Sequence, residues 1–80
     1  MMQIIVEISL YPLTENYSSI IANFVGRLSG YDGIEVTLGE TSTVIRGDYD
    51  VIFKMLEAEC RDVLDRDVKS AFVIKLLNTV

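Results

Sequence analysis

The 80-residue chain has no histidine, a single cysteine and a single proline. Without histidine, a nucleophile activated by imidazole and a histidine-ligated zinc site are both excluded. One thiol, Cys60, cannot form an internal disulfide. That fits a reducing, cytoplasmic compartment, with Cys60 as a small apolar filler. Basic runs are also missing. Seven Lys and Arg against twelve Asp and Glu leave a net charge of −5. Nucleic acid requires a concentrated positive surface and is not an expected partner. The acidic balance suits a cationic ligand, or serves solubility alone. No segment approaches the ~20 apolar residues that cross a membrane, and the start, MMQIIVEISL, lacks the basic region of a signal peptide. No glycine-rich run leads into a helix, and neither a metal cluster nor a nucleophile–base pair is visible. The chain is therefore expected to be non-catalytic.

What the chain has in quantity is apolar residues, half of the total. A domain of this length buries a limited fraction of its surface. Some of that apolar surface is therefore expected to be covered by a second copy.

The apolar residues fall into regular patterns. Residues 3–11 alternate, with Ile4, Val6, Ile8 and Leu10 on one face and Gln3, Ile5, Glu7, Ser9 and Tyr11 on the other. Period two predicts a strand, and Pro12 is expected to end it. Tyr17, Ile20, Ile21, Phe24, Val25 and Leu28 form one helical stripe, predicting a helix from Tyr17 to Ser29 capped by Thr14 or Asn16. GYDG at 30–33 is turn chemistry. Residues 34–38 alternate again, with Ile34, Val36 and Leu38 inward. Gly39-Glu40 reads as a hairpin turn, and Thr41 to Arg46 as the returning strand, with Thr43 and Ile45 toward the core. Asp48 or Asp50 opens a second helix reaching about Leu64. Its expected buried stripe is Val51, Ile52, Met55, Leu56, Cys60 and Val63, interrupted by Glu59. Glu59 either reaches water at the helix edge or is a buried carboxylate with a purpose. Residues 69–77 form the last strand.

The order βαββαβ, with one apolar stripe per helix, predicts a single α+β domain over residues 1–80. It is a ferredoxin-like, four-stranded antiparallel sheet carrying both helices on one face. Right-handed crossovers place strands 1 and 3 at the centre. The other face is left bare. Its apolar band of Ile5, Val44, Ala71 and Val73 is too greasy for a merely solvated surface, which marks an interface or a ligand surface. At one end Glu7 falls near Ser9 and Ser42. A carboxylate beside two hydroxyls can accept from an amino group and balance a positive ring. Tyr11 could stack or donate. The simpler alternative is that Glu7 pairs with Arg46 or Lys75 across the sheet.

The stretches ISLYPLTENYSSII and TSTVIRGDYDVIFKML resemble the YkoF-like thiamine- and hydroxymethylpyrimidine-binding family and its single-domain relatives. The most specific parts are Ser9-Leu10-Tyr11-Pro12 and Ser42-Thr43-Val44-Ile45-Arg46-Gly47. The resemblance implies a ferredoxin-like fold, binding of thiamine or its pyrimidine part as ligand, no cofactor and no catalysis. It implies self-association as a homodimer or homotetramer, because some members carry two such repeats in one chain. It also implies Ser9, Tyr11, Ser42 and Thr43 as pocket members. Glu7 joins them on its own chemistry, and Glu59 stands where the family pattern would have an apolar residue. The alternative function is a module that oligomerises through its open face without a ligand.

Overall fold

The computed structural model describes residues 2–79. It contains β1 (Gln3–Pro12), α1 (Tyr17–Leu28), β2 (Glu35–Leu38), β3 (Thr43–Asp48), α2 (Tyr49–Leu64) and β4 (Ser70–Asn78). The sheet order is β2-β3-β1-β4 with every neighbour antiparallel. This is the ferredoxin-like arrangement that the pattern predicts, with β1 and β3 central.

The alternation in β1 sets the layers. Ile4, Val6, Ile8 and Leu10 are buried under the helices, while the residues between them are at most partly covered. Pro12 is the last residue of the strand, and the ladder continues one step through Leu13, whose N–H donates to Lys69 O at 2.8 Å. The core joins these residues to Phe24 and Leu28 from α1, Ile45 from β3, and Ile52, Met55 and Val63 from α2. Phe24 meets Phe72 of β4 with ring centroids 5.3 Å apart and planes tilted by 54°, a favourable aromatic geometry. Each such side chain, fully buried, contributes about 1.5–3 kcal/mol.

α2 has the better start. Asp48 accepts from the N–H groups of Asp50 and Val51 at 3.1 and 3.2 Å, satisfying two free donors of the first turn. Asn16 occupies the corresponding position of α1 but makes no side-chain cap. Gly33, in the loop after α1, has φ +77°, a conformation glycine adopts without strain.

Four expectations are corrected. Tyr17 is 55% exposed and is not part of the buried stripe; it lies beside the exit of β1, next to a groove it shares with Tyr11 and Leu13. Val51 is also exposed, so the buried face of α2 is the narrower set Ile52, Met55, Leu56 and Val63. Leu38 is exposed because it ends the short edge strand β2. Gly39-Glu40 is not a two-residue hairpin. Leu38 pairs with Thr43, so the loop holds four residues, 39–42, closed by Gly39 N–H donating to Ser42 O at 2.9 Å.

β4 is the least covered element. It pairs only with β1, and Ile74 and Leu76 on its helix side are exposed, as are Val73 and Leu77 on its open side.

Candidate functional site

The site is built where β1 leaves the sheet and the 39–42 turn enters it. Gly39 is required there: a Cβ on it would stand 2.8 Å from Ser42 O, closer than van der Waals contact allows. The turn is tied to β1 by side chains. Ser9 Oγ donates to Thr41 O at 3.2 Å, and Ser42 Oγ donates to Glu7 Oε2 at 3.2 Å. The other carboxylate oxygen, Glu7 Oε1, lies 3.3 Å from Lys75 Nζ on β4, its directly opposed partner in the ladder. Glu7 therefore both accepts from Ser42 and pairs across the sheet with Lys75. Arg46 turns instead toward Glu35, at 3.9 Å. Both of these ion pairs are well exposed, and contacts of that kind stabilise by about 0–1 kcal/mol.

The five residues singled out in the sequence do not share one surface. Glu7, Ser9 and Tyr11 alternate onto the open sheet face, and the Ser42 hydroxyl reaches Glu7 there. Thr43 is buried on the opposite, helix-covered face, directly across from Ile8. Ser9, Ser42 and Thr43 nevertheless meet at the rim of one cleft under the turn. The cleft has a volume of about 70 Å³ and a floor of Ile8, Leu10, Ile21 and Phe24. An adjoining shallow groove of about 450 Å³ shares Leu10, Ile21, Glu40 and Thr41 with it and extends past Tyr11 and Pro12 to Tyr17. Glu40, Thr41 and Tyr17 had no distinguishing pattern in the sequence. The first two sit in a turn longer than the Gly39-Glu40 pair predicts, and Tyr17 has the spacing of a helical stripe that continues to the core.

No group of His, Cys, Asp and Glu among the described residues could hold a metal ion. No helix among them is long and apolar enough to cross a membrane.

Of the two expectations for Glu59, the structure shows the buried carboxylate, and its role is structural. It lies between the helices, mostly buried, with both oxygens engaged: Arg27 Nε donates to Oε1 and Tyr31 OH to Oε2, each at 2.7 Å. Arg27 Nη2 also lies 3.0 Å from Asp62. Glu59 thus clamps α1 and the following loop to α2, and it is not among the residues lining the cleft. The Tyr31 hydroxyl is held above its usual pKa first by its bond to Glu59, then by burial. Cys60, half-buried against the core, has its thiol pushed up to about 11, chiefly by burial and secondarily by the Glu59 charge. Such a thiol is a packing group, not an activated nucleophile.

The model of the YKOF-related family matches residues 3–75. The chain belongs to this family. Three solved structures share its fold. A hypothetical protein from Methanocaldococcus jannascii has a TM-score of 0.85 at 23% identity, covering 100% of this chain and 84% of its own. A candidate thiamine biosynthesis/salvage protein from Thermotoga maritima has a TM-score of 0.80 at 15% identity, covering 96% and 84%. A domain of unknown function, DUF77, from Bacillus cereus has a TM-score of 0.75 at 18% identity, covering 94% and 74%. No curated protein matches the chain. In this YkoF-related chain, Ser9–Pro12 closes β1 and Ser42–Gly47 opens and runs along β3, and both stretches border the same cleft.

Proposed function

We propose that the chain is a non-catalytic binding protein for thiamine or its hydroxymethylpyrimidine part, working in the cytoplasm as a homo-oligomer in a carrier, buffer or sensor role. The carrying observation is the cleft at the exit of β1. An apolar floor there meets hydroxyls and one carboxylate, the mixture that seats a flat, amino-bearing ring. The two family-like stretches border it, and the structural neighbour from Thermotoga maritima is a candidate thiamine biosynthesis/salvage protein.

Size supports a role for a second copy. Ligand sites usually enclose about 300–1,000 Å³, and the cleft alone offers about 70 Å³. The adjoining groove is larger but shallow. A second chain laid over the open face would cover the apolar band of Ile5, Val44, Ala71 and Val73, and would deepen the site at its edge. A homodimer, or a tetramer made from two, accounts for both needs.

A second reading, a module that only oligomerises, is favoured by one observation: Glu7 is already matched by Lys75 and has no need of a ligand cation. Titration calorimetry with thiamine and with hydroxymethylpyrimidine, together with the solution mass, separates the two. The binding reading expects heat and a raised melting temperature with at least one of them. An oligomer that shows neither at millimolar ligand favours the module.

A further inference from the structure

We infer that Glu40, carried on the 39–42 turn, is the residue that reads the positive charge of the ligand, and that Glu7, Ser9 and Ser42 are positioning residues that hold this turn. The inference rests on the binding function proposed above and assigns its parts differently from the sequence pattern. Three contacts fix the turn: Gly39 N–H to Ser42 O, Ser9 Oγ to Thr41 O, and Ser42 Oγ to Glu7. The Ser9 and Ser42 hydroxyls thus already have partners within the protein. The Glu7 carboxylate is divided between Ser42 and Lys75, and a cation approaching it would meet a nearly neutral pair.

Glu40 is placed otherwise. It lines both the cleft and the groove, at the mouth between them, and is the one acid lining either. Among the described residues it forms no ion pair, unlike Glu7, Glu35, Glu57 and Glu59; Glu15 is likewise in no ion pair but lines neither the cleft nor the groove. Tyr11 and Tyr17 line the groove that Glu40 borders. Aromatic faces and a free carboxylate together attract a cationic ring. A neutral aminopyrimidine would need the cleft and its hydroxyl-bearing rim but not this charge.

The test compares thiamine, a cation, with hydroxymethylpyrimidine at mildly alkaline pH, where it is uncharged, by calorimetry on the full chain. Glu40→Gln is expected to weaken thiamine on the order of tenfold, the size of one near-surface charge contact. Its effect on hydroxymethylpyrimidine should stay within about threefold, well inside that single-contact scale. Glu7→Gln keeps an acceptor for Ser42 but loses the pair with Lys75, and should weaken both ligands modestly and to the same degree, without selecting thiamine. Ser42→Ala and Ser9→Ala should weaken both ligands alike and speed hydrogen exchange at the amides of residues 39–41. If Glu7→Gln selectively weakens thiamine and Glu40→Gln does not, the assignment is overturned. Unchanged exchange in both serine variants overturns the positioning role. A wild-type chain silent to both probes, with exchange following the serine variants, removes the ligand and the role of Glu40 while supporting the anchored turn.

Discussion

Removing the Glu59 carboxylate should be among the most damaging single changes outside the apolar core. Two bonds are lost, both to an ionised acceptor at 2.7 Å. Hydrogen bonds to charged groups contribute about 1.5–3 kcal/mol each. Arg27 is partly exposed and keeps Asp62 at 3.0 Å, so its share falls toward the surface-pair range of about 0–1 kcal/mol. Tyr31 has no such substitute, and its bond counts more fully. Glu59→Ala should therefore cost on the order of 3 kcal/mol, against a total stability of about 5–15 kcal/mol for a domain. Urea unfolding at fixed protein concentration reads this directly. In a chain of this size the melting temperature should fall by about 12–24 °C. Glu59→Gln retains an acceptor and should cost about half as much. In a double-mutant cycle, Tyr31→Phe and Glu59→Ala should be less than additive, because they remove the same bond. A Glu59→Ala chain within about 0.5 kcal/mol of wild type, the ordinary range of surface substitutions, would refute the clamp and return Glu59 to a solvated edge residue.

Three further outcomes follow from the packing. Gly26→Ala, on α1 with no atom within 4 Å of the added Cβ, should stabilise by about 0.5–1 kcal/mol, measured as a higher urea midpoint. Gly47→Ala should destabilise by about 1–3 kcal/mol in the same assay, since its Cβ would meet Ile34 Cδ1 at 2.6 Å and Gly33 O at 3.1 Å. Alkaline pH should weaken the fold through Tyr31 and Cys60. Both are acids whose folded pKa is raised, so their contribution is full below the unfolded pKa and is lost as pH rises through the folded one. For Cys60 that window runs from 9.0 to about 11, and Cys60→Ala should flatten the part of the pH–stability curve lying there.

Much of this fold can be read from residue order, because one rule governs most of it. In β1, burial alternates as the side-chain pattern requires, and the helices begin directly after Asn16 and Asp48, in each case one of the two cap candidates that the sequence offers. The misread residues sit at element ends. Tyr17, Leu38 and Val51 each belong to an apolar stripe by spacing, but periodicity carries no information about where the opposing layer stops. The length of the 39–42 turn is not legible in the sequence for a related reason. Gly39-Glu40 is locally acceptable as a two-residue turn, and only the pairing of Leu38 with Thr43 shows that four residues are used. Glu59 could be noticed in the sequence, since it breaks an apolar stripe, but its meaning lay in Arg27 and Tyr31, 32 and 28 residues away.

The same distinction bears on the site. Sequence spacing correctly brings Glu7, Ser9 and Ser42 into one neighbourhood, yet proximity alone does not distinguish a group that meets a ligand from one that holds the loop that does. Hydrogen-bond bookkeeping makes that distinction. A serine whose proton is already given to a carbonyl, or a carboxylate already matched by a lysine, must break an existing contact before it can bind anything. Glu40 breaks no ion pair when a cation arrives, and it stands at the mouth of the cleft. An acid that lines the cleft and has no internal partner is the better candidate for recognition, and the partnered acid for architecture.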